Sequence, residues 1–452
     1  MRIPKDVRDC IDALENAGFA AYLVGGCVRD AYLGLTPQDF DLCTSALPEQ
    51  TEAVFANRRL VLAGKKHGTI GVVTNSGVVE ITTFRTEGGY TDNRHPQWVK
   101  FVPNIEDDLA RRDFTVNAMA YSPTRGFADP FGGRADLDVH ILRAVGEPAL
   151  RFEEDSLRIL RGVRFAVKYS LTPQPETLDA MFCLAPLMDN LARERVFEEL
   201  CKLILLVSPD DLLRFAPVLT QVIPELEPTV GFDQCSHHHA YDVYTHTAHV
   251  TAAVPAALPL RLAALLHDVG KPAVFSLDEA GQGHFYGHAE ESAAMADTVL
   301  RRLKAPTQLR EQVVALIKLH MTKLEPDKRL LRRRLSRLGR ETLEMLLVLQ
   351  EADMGSKGTG KPAEMEQFSQ IRAILEEIYA ENACLTLKDL AVNGHDLMAL
   401  GITGRAIGQT LNALLEQVID EKIPNEKDAL LHAVLYIRDQ NSALNINLKS
   451  PQ

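Results

Sequence analysis

The stretch from Leu23 to Asp41 constrains this chain more than any other. An apolar strand, Ala20 to Val24, runs into Gly25-Gly26 and then into a helix-like segment carrying Arg29 and Asp30. A short loop containing Pro37 follows, then two carboxylates one residue apart, Asp39 and Asp41. Two glycines at a strand-to-helix turn let the backbone approach a polyphosphate closely, and a helix N-terminus favours negative charge. On a strand, residues i and i+2 share a face, so the spacing predicts Asp39 and Asp41 side by side. Adjacent carboxylates repel unless a cation lies between them, and Mg²⁺ is held by one or two carboxylates plus substrate phosphates. Alone, the Asp39/Asp41 pair reads equally as a solvated turn. With Gly25-Gly26 and Arg29-Asp30 at this spacing, it reads as the kit for two-metal nucleotidyl transfer, Asp39 and Asp41 being the catalytic pair.

The rest of the chain divides by pattern. Up to about residue 145, strand signals (Ala20 to Val24, Thr69 to Thr74, Val78 to Phe84, Trp98 to Val102) alternate with helical ones. From about residue 146 apolar residues recur at three- and four-residue spacing, as in Leu157, Leu160 and Leu262, Leu265, Leu266, which predicts an all-helical remainder. The 452 residues exceed one core, and about three domains are expected from that length. Punctuation at Leu171 to Pro175, Pro224 to Gly231 and Gly355 to Pro362 marks breaks, the last as a flexible linker or exposed turn. The divisions expected are residues 1–145, 146–235, 236–360 and 361–452. Seven scattered cysteines without a Cys-x-x-Cys pair fit a reducing cytosol. The sequence has no apolar run of the ~18 residues that a membrane span needs, and no signal-peptide pattern, so a cytoplasmic protein is expected. A net charge of −12 argues against wholesale coating of nucleic acid but leaves room for a local basic track.

Further charged segments accompany the carboxylate pair. Arg111-Arg112-Asp113-Phe114-Thr115 with Asn117 follows the acidic stretch Glu106-Asp107-Asp108. Its arginines suit bidentate phosphate binding, though alone the segment reads better as a surface helix start capped by Asp113 or Thr115. Glu80 is either a third carboxylate near the metals or an ordinary solvated strand residue. Arg85 to His95 is polar and glycine-containing, as expected of a mobile loop. In the run Arg151 to Arg161, Asp155 and Arg158 are three apart, hence neighbours on a helix and a local salt bridge. Side by side they also offer acceptor and donors to the Watson–Crick edge of a base. Arg158, Arg161 and Arg164 continue one stripe, and Glu194-Arg195 could brace it.

The set Gly25-Gly26, Arg29-Asp30, Asp39/Asp41, Arg111 to Asn117, Glu154-Asp155 with Arg158, and Glu194-Arg195 resembles the bacterial class II tRNA nucleotidyltransferase/poly(A) polymerase family. The order and spacing match over residues 20 to 200. The resemblance implies an α/β nucleotidyltransferase head with a polymerase-β-like palm, then an all-helical neck, an HD domain and a helical tail. It implies Mg²⁺ at Asp39 and Asp41. Nucleotide contacts fall to Gly25, Gly26, Arg29, Arg111, Arg112, Asp113, Asn117, Asp155, Arg158, Arg161 and Arg164. Asp155 and Arg158 would serve as an amino-acid template for CTP and ATP, and the Arg85–Arg94 loop would help switch from C to A addition. The substrate implied is tRNA, to which CCA is added. Addition of only A, only C or a poly(A) tail remains open on the same scaffold. Asp389 to Gly401 and Gly404 to Gly408 resemble the family's tRNA-facing tail, with Thr403-Gly404-Arg405 where a Pro-Gly turn is expected.

The middle of the chain carries a second chemistry. His246, His267-Asp268 followed by Gly270-Lys271, His288, His320 and Asp353 combine imidazole with carboxylate, suited to Zn, Mn, Fe, Ni or Co. One such histidine on an apolar helix is commonly a core residue; the adjacent pair with further His and Asp is not. Residues 236–355 resemble the HD phosphohydrolase superfamily, which implies His246, His267, Asp268 and Asp353 as ligands of a divalent transition metal. His288 and His320 would add a second metal or phosphate contacts. His237 to His239 reads as a solvated loop or as an extension of that site. A protein whose main activity is HD phosphohydrolysis, or a non-catalytic RNA-binding module, are the rival readings. Lys328 to Arg340 holds seven basic residues in thirteen, either a solvated helix or a tRNA phosphate contact.

Overall fold

The computed structural model describes residues 1–89, 97–236, 240–358 and 362–446. The chain forms two compact units: Met1–Glu227 with Thr298–Pro306, and Pro228–Asp297 with the residues from Thr307 onward.

The first unit is built on a seven-stranded sheet. Its strands are β1 (Ala21–Val24), β2 (Leu42–Thr44), β3 (Leu60–Val61), β4 (Thr69–Thr74), β5 (Gly77–Thr83), β8 (Ala120–Ser122) and β9 (Gly126–Ala128), in the order β3-β4-β5-β2-β1-β8-β9. β6 (Arg85–Gly88) and β7 (Trp98–Phe101) form a separate antiparallel hairpin. The four strands read from the sequence fall within a residue of these bounds, because each is a short β-branched or aromatic run with turn residues at its ends. β4 and β5 meet in register around Thr74 and Gly77, where Gly77 takes a φ of 135°. β2 pairs parallel to β5 and antiparallel to β1, with Leu42 opposite both Ile81 and Leu23. Leu23, Leu42, Ile70, Val72 and Ile81 are buried. That burial sets the register, because a one-residue slip would turn this apolar set to the other face.

Two expectations need correction. Asp39 and Asp41 lie not on a strand but on the irregular segment before it, for β2 begins at Leu42. Pairing nevertheless reaches Asp41, whose carbonyl accepts the Val24 N–H at 3.1 Å. The helical run expected through Arg151–Arg161 is two helices, Pro148–Glu154 and Leu157–Lys168, broken at Asp155, which is extended (φ −142°, ψ 98°). The break lets the Asp155 carboxylate accept the Leu157 N–H at 3.2 Å at the start of the second helix.

The second unit is helical except for the small hairpin Ser276–Leu277/Gly283–His284. Helices Val243–Ala253, Leu258–Leu266, Thr307–Leu319 and Arg340–Gly355 carry the central histidines or pack beside them. Two further apolar clusters follow. One joins Leu331, Leu335, Leu343 and Leu347 to Phe368, Ile371 and Leu375; the other gathers Leu397, Leu414, Val418 and Leu430. The stretch after Gly355 is pinned where a free linker was one reading: the Lys357 carbonyl accepts the Ala240 N–H at 3.0 Å. The basic helix Lys328–Leu338 is partly neutralised, for Arg333 clasps Asp420 with two 2.7 Å bonds, Lys328 meets Glu381 at 2.6 Å and Arg332 pairs with Glu421. Residues 90–96 of the polar loop and His237 to His239 lie outside the described residues. No described helix is long and apolar enough to cross a membrane.

Candidate active site and candidate metal centre

β1 delivers the chain to Gly25, whose φ of 70° and ψ of −127° suit only glycine. A Cβ there would lie 2.9 Å from Arg112 Nη1, so the residue also makes room for that guanidinium. The helix Gly26–Tyr32 starts directly after it. Asp39, Asp41 and Glu80 are exposed, and all three line one cleft of about 560 Å³ with Gln38, Phe40 and Val78. Although open to solvent, Asp41 is partly desolvated; that, followed by the charge of Glu80, raises its pKa, while Arg112 pulls it down. Among the described residues these three carboxylates do not converge within 4.8 Å as a set.

Arg111 and Arg112 are held from below by Asp108, a fully buried carboxylate. Asp108 accepts from Arg111 at 2.9 and 3.1 Å, from Arg112 at 3.3 Å and from the Arg85 N–H at 3.2 Å. Burial opposes its ionisation, but the two guanidinia outweigh burial and lower its pKa. The sequence reading took Asp108 only as part of an acidic stretch; its three- and four-residue spacing to Arg111 and Arg112 was the available signal.

The side chains of Asp155 and Arg158 do not pair with each other; only the Arg158 N–H meets the Asp155 carbonyl, at 2.9 Å. Arg158 donates to Glu154 at 2.9 Å and to the carbonyls of Arg111 and Arg151 at 2.9 and 3.2 Å. Asp155 is held by Arg195 at 3.1 Å, so the bracing expected of Glu194-Arg195 comes from the arginine. The helix break explains the change of partner: a residue outside the helix no longer projects beside its i+3 neighbour. Arg161 and Arg164 follow Arg158 at three-residue spacing on the same helix but take separate acidic partners. Arg161 chelates Asp113 at 2.7 and 3.0 Å, and Arg164 donates to Glu199 at 2.6 Å. Burial works against the Asp113 charge, yet Arg161 and the Asn117 amide bring its pKa down to about 2. Arg29 is buried and donates to Asn117, Asp30 and Tyr169.

In the second unit the six residues read from the sequence come together in one cluster. His246, His267 and Asp268 form one set with ligand atoms within 4.8 Å, and Asp268, His288 and His320 form another. His246 Nε2 lies 3.0 Å from Asp353 Oδ1 and 3.6 Å from Asp268 Oδ2. Asp268 is shared, with Oδ1 3.5 Å from His288 Nε2 and 3.9 Å from His320 Nε2. Each imidazole turns Nδ1 to a backbone carbonyl: Ser356, Ala264, Phe285 and Ile317, at 3.3, 2.8, 2.8 and 2.6 Å. That leaves the Nε2 atoms toward the centre, the arrangement by which outer partners orient metal-ligating histidines. His267 Nε2 is buried with Asp268 Oδ2 3.2 Å away, a contact that lacks hydrogen-bond geometry, so its lone pair suits a metal ion. Burial and the His267 charge push His320 down to about 4. Burial also penalises the Asp268 carboxylate, but His267 and Lys271, whose Nζ lies 2.7 Å away, keep its pKa well below the usual range. The residues present fit a divalent cation. Lys271 was noted in the sequence only as part of the motif; its role as counter-charge emerges from the fold.

A mixed sheet with a glycine turn, an exposed carboxylate cleft and buttressed arginines defines a nucleotidyltransferase, a class that works with divalent cations. The Poly A polymerase head domain family matches residues 21–143. The probable RNA and SrmB-binding site of polymerase A matches residues 170–229, and the putative tRNA nucleotidyltransferase domain 2 matches residues 285–434. The chain is 32% identical over 446 residues to a CCA-adding enzyme of Lactiplantibacillus plantarum, covering 96% of each. It therefore belongs to the CCA-adding enzyme family. It is 46% identical over 206 residues to a CCA-adding enzyme of Streptococcus suis, so the match spans about half (51%) of that relative and 45% of this chain. The solved Bacillus stearothermophilus CCA-adding enzyme in complex with CTP superposes with a TM-score of 0.71 at 28% identity, over 98% of this chain and 100% of that one. The Thermotoga maritima CCA-adding enzyme complexed with tRNA shares the fold, with a TM-score of 0.60 at 20% identity over 96% of each chain.

Proposed function

We propose that this chain adds C, C and A to the 3′ end of tRNA, taking CTP and ATP as substrates in a bacterial cytoplasm. The observation that carries the reading is the cleft that brings Asp39, Asp41 and Glu80 together in a chain aligned nearly end to end with a CCA-adding enzyme. Asp39 and Asp41 would hold Mg²⁺, which when bound would neutralise the charge that develops in nucleotidyl transfer. Gly25 and Gly26 bring backbone close to the triphosphate, and Arg112, packed against Gly25, faces it. Asp155 and Arg158, braced from different sides, present an acceptor and donors to the base edge. The open carboxylate set suits a site whose remaining ligands come from the substrate phosphates. Incubating purified protein with tRNA ending at the discriminator nucleotide tests this. CTP alone should extend it by two nucleotides, ATP alone by none, and both together by three. A product ladder of only A, only C or a long A tail would replace this reading with the narrower enzyme.

A second reading is favoured by the two buried His/Asp sets that share Asp268: we infer that residues 236–355 form an HD-type metal-dependent phosphohydrolase. His246, His267, Asp268 and Asp353 would hold one transition-metal ion; Asp268, His288 and His320 would hold a second. Bound there, such a cation lowers the pKa of water to give a nucleophile at neutral pH. Lys271 balances the charge of Asp268. Hydrolysis of a 2′,3′-cyclic nucleotide or phosphomonoester with Ni, Co, Mn or Mg, lost in His267→Ala/Asp268→Ala, is the expected result. Neither bound metal nor turnover with any of them would leave these residues a structural remnant.

A further inference from the structure

The base-reading residues and the glycine turn stand on different segments, and one side chain ties them together. Tyr169 ends the helix Leu157–Lys168, which carries Arg158 near its start, and is buried. Its hydroxyl donates to Asp30 Oδ1 at 3.0 Å and accepts from Arg29 Nη2 at 2.5 Å. Its ring lies under the Arg29 guanidinium, 4.2 Å from the ring centre. Arg29 and Asp30 belong to the helix Gly26–Tyr32 that follows the glycine turn. Arg29 Nη1 then donates to Asn117 Oδ1, Asn117 Nδ2 donates to Asp113 Oδ1 at 3.0 Å, and Asp113 is chelated by Arg161. Arg161 lies on the same helix as Arg158, so the chain of contacts closes on itself. It leaves the base-reading helix at Tyr169, crosses the turn helix and the Asp113–Asn117 segment, and returns at Arg161.

We propose that Tyr169 is a positioning residue that sets the distance between the triphosphate and the base reader. A nucleotide is held at both ends, by its phosphates and by its base edge. Discrimination then depends on where the reader stands relative to the phosphates, and a small displacement weakens reading of the correct base more than it weakens phosphate binding. The clasp is well suited to this. Its bonds involve charged groups, and charge-assisted bonds are the stronger and more directional ones. Arg29, which the family resemblance assigns to the nucleotide, is consumed by the clasp, so its part is to hold the turn helix to the reader.

The proposal rests on the CCA-adding reading, and its test separates the two. Tyr169→Phe keeps the ring over Arg29 and removes the hydroxyl; Arg29→Lys keeps the charge and removes the fork. For each, and for the unsubstituted full chain, kcat and KM are measured with CTP, ATP, UTP and GTP on tRNA, beside the melting temperature. In both variants the preference for CTP over UTP should fall about 10-fold, with the melting temperature of Tyr169→Phe close to that of the parent. A merely structural role would lower all four rates together and leave the preference unchanged. Retention of the parental preference in either variant overturns the proposal. An unsubstituted chain that adds neither C nor A would overturn the CCA-adding reading itself.

Discussion

In the first unit Asp39, Asp41 and Glu80 stand exposed along a cleft and do not converge as a set, whereas in the second unit four imidazoles and Asp268 form two tight sets that share Asp268, with Asp353 against His246. The cleft carboxylates have few protein partners to orient them; every imidazole of the centre has its Nδ1 tied to a carbonyl. The difference teaches which ligands each site brings. An open pair of carboxylates takes cations together with substrate phosphates, so it is assembled only when nucleotide arrives. A buried His/Asp set carries its own first ligands, so on the proposed reading it would hold a cation before any substrate arrives.

The sharpest way to break this contrast is to remove each set in turn. Asp39→Ala or Asp41→Ala should depress nucleotide addition by roughly 10³-fold or more while tRNA binding, followed by filter retention, persists. Near-parental addition in the double variant would remove these residues from the chemistry. His267→Ala/Asp268→Ala should leave addition in place.

The next effect concerns metal. If the imidazole centre holds its cation without substrate, chelator should lower the melting temperature of the parent by on the order of 5 °C, with no such response in His267→Ala/Asp268→Ala. Equal response of both proteins would put the bound ion elsewhere. Base reading comes third. Arg158→Ala should cost roughly 10²-fold in kcat/KM for both CTP and ATP, and Arg195→Ala, which frees Asp155 without deleting it, about 10-fold. Unchanged values in Arg158→Ala would reduce that residue to a link between the Glu154 carboxylate and the Arg111 carbonyl.

The smallest effect tests a buried charge that serves architecture. In spite of burial, Arg161 and the Asn117 amide hold the Asp113 pKa down to about 2, against the usual 3.8. A folded-state pKa below the unfolded one stabilises above the unfolded value, and the benefit fades as pH falls through the folded value. Asp113→Asn should therefore cost roughly 2 kcal/mol at pH 7, measured by urea unfolding. The gap from the parent should narrow between the usual pKa of 3.8 and about 2. A gap that stays constant over that window would mean that the carboxylate charge is not what matters.

Much of this was legible from residues alone, and the failures are instructive. The Leu23–Asp41 stretch announced its strand, glycine turn and helix, because each depends on neighbours a few residues away. The metal-type residues of the second unit were also visible, since His267-Asp268 directly after an apolar run, with further His and Asp along the chain, is hard to read as core packing. The pairing of Asp155 with Arg158 was read wrongly for the same local reason: helical spacing was extended through a residue that leaves the helix. Asp108 and Tyr169 were passed over because an acidic run and a lone tyrosine have many ordinary explanations.

What the sequence by itself determined was the element types, the glycine turn and the inventory of chemical groups, because backbone sterics and apolar periodicity act over short range. What only the tertiary structure decided was partnership. Arg158 had Asp155, Glu154 and backbone carbonyls within reach, and took the last two. His246 and Asp353, 107 residues apart, came within 3.0 Å. Charges choose among chemically equivalent partners by distance and burial, and those are set by how the whole chain packs, not by its local order.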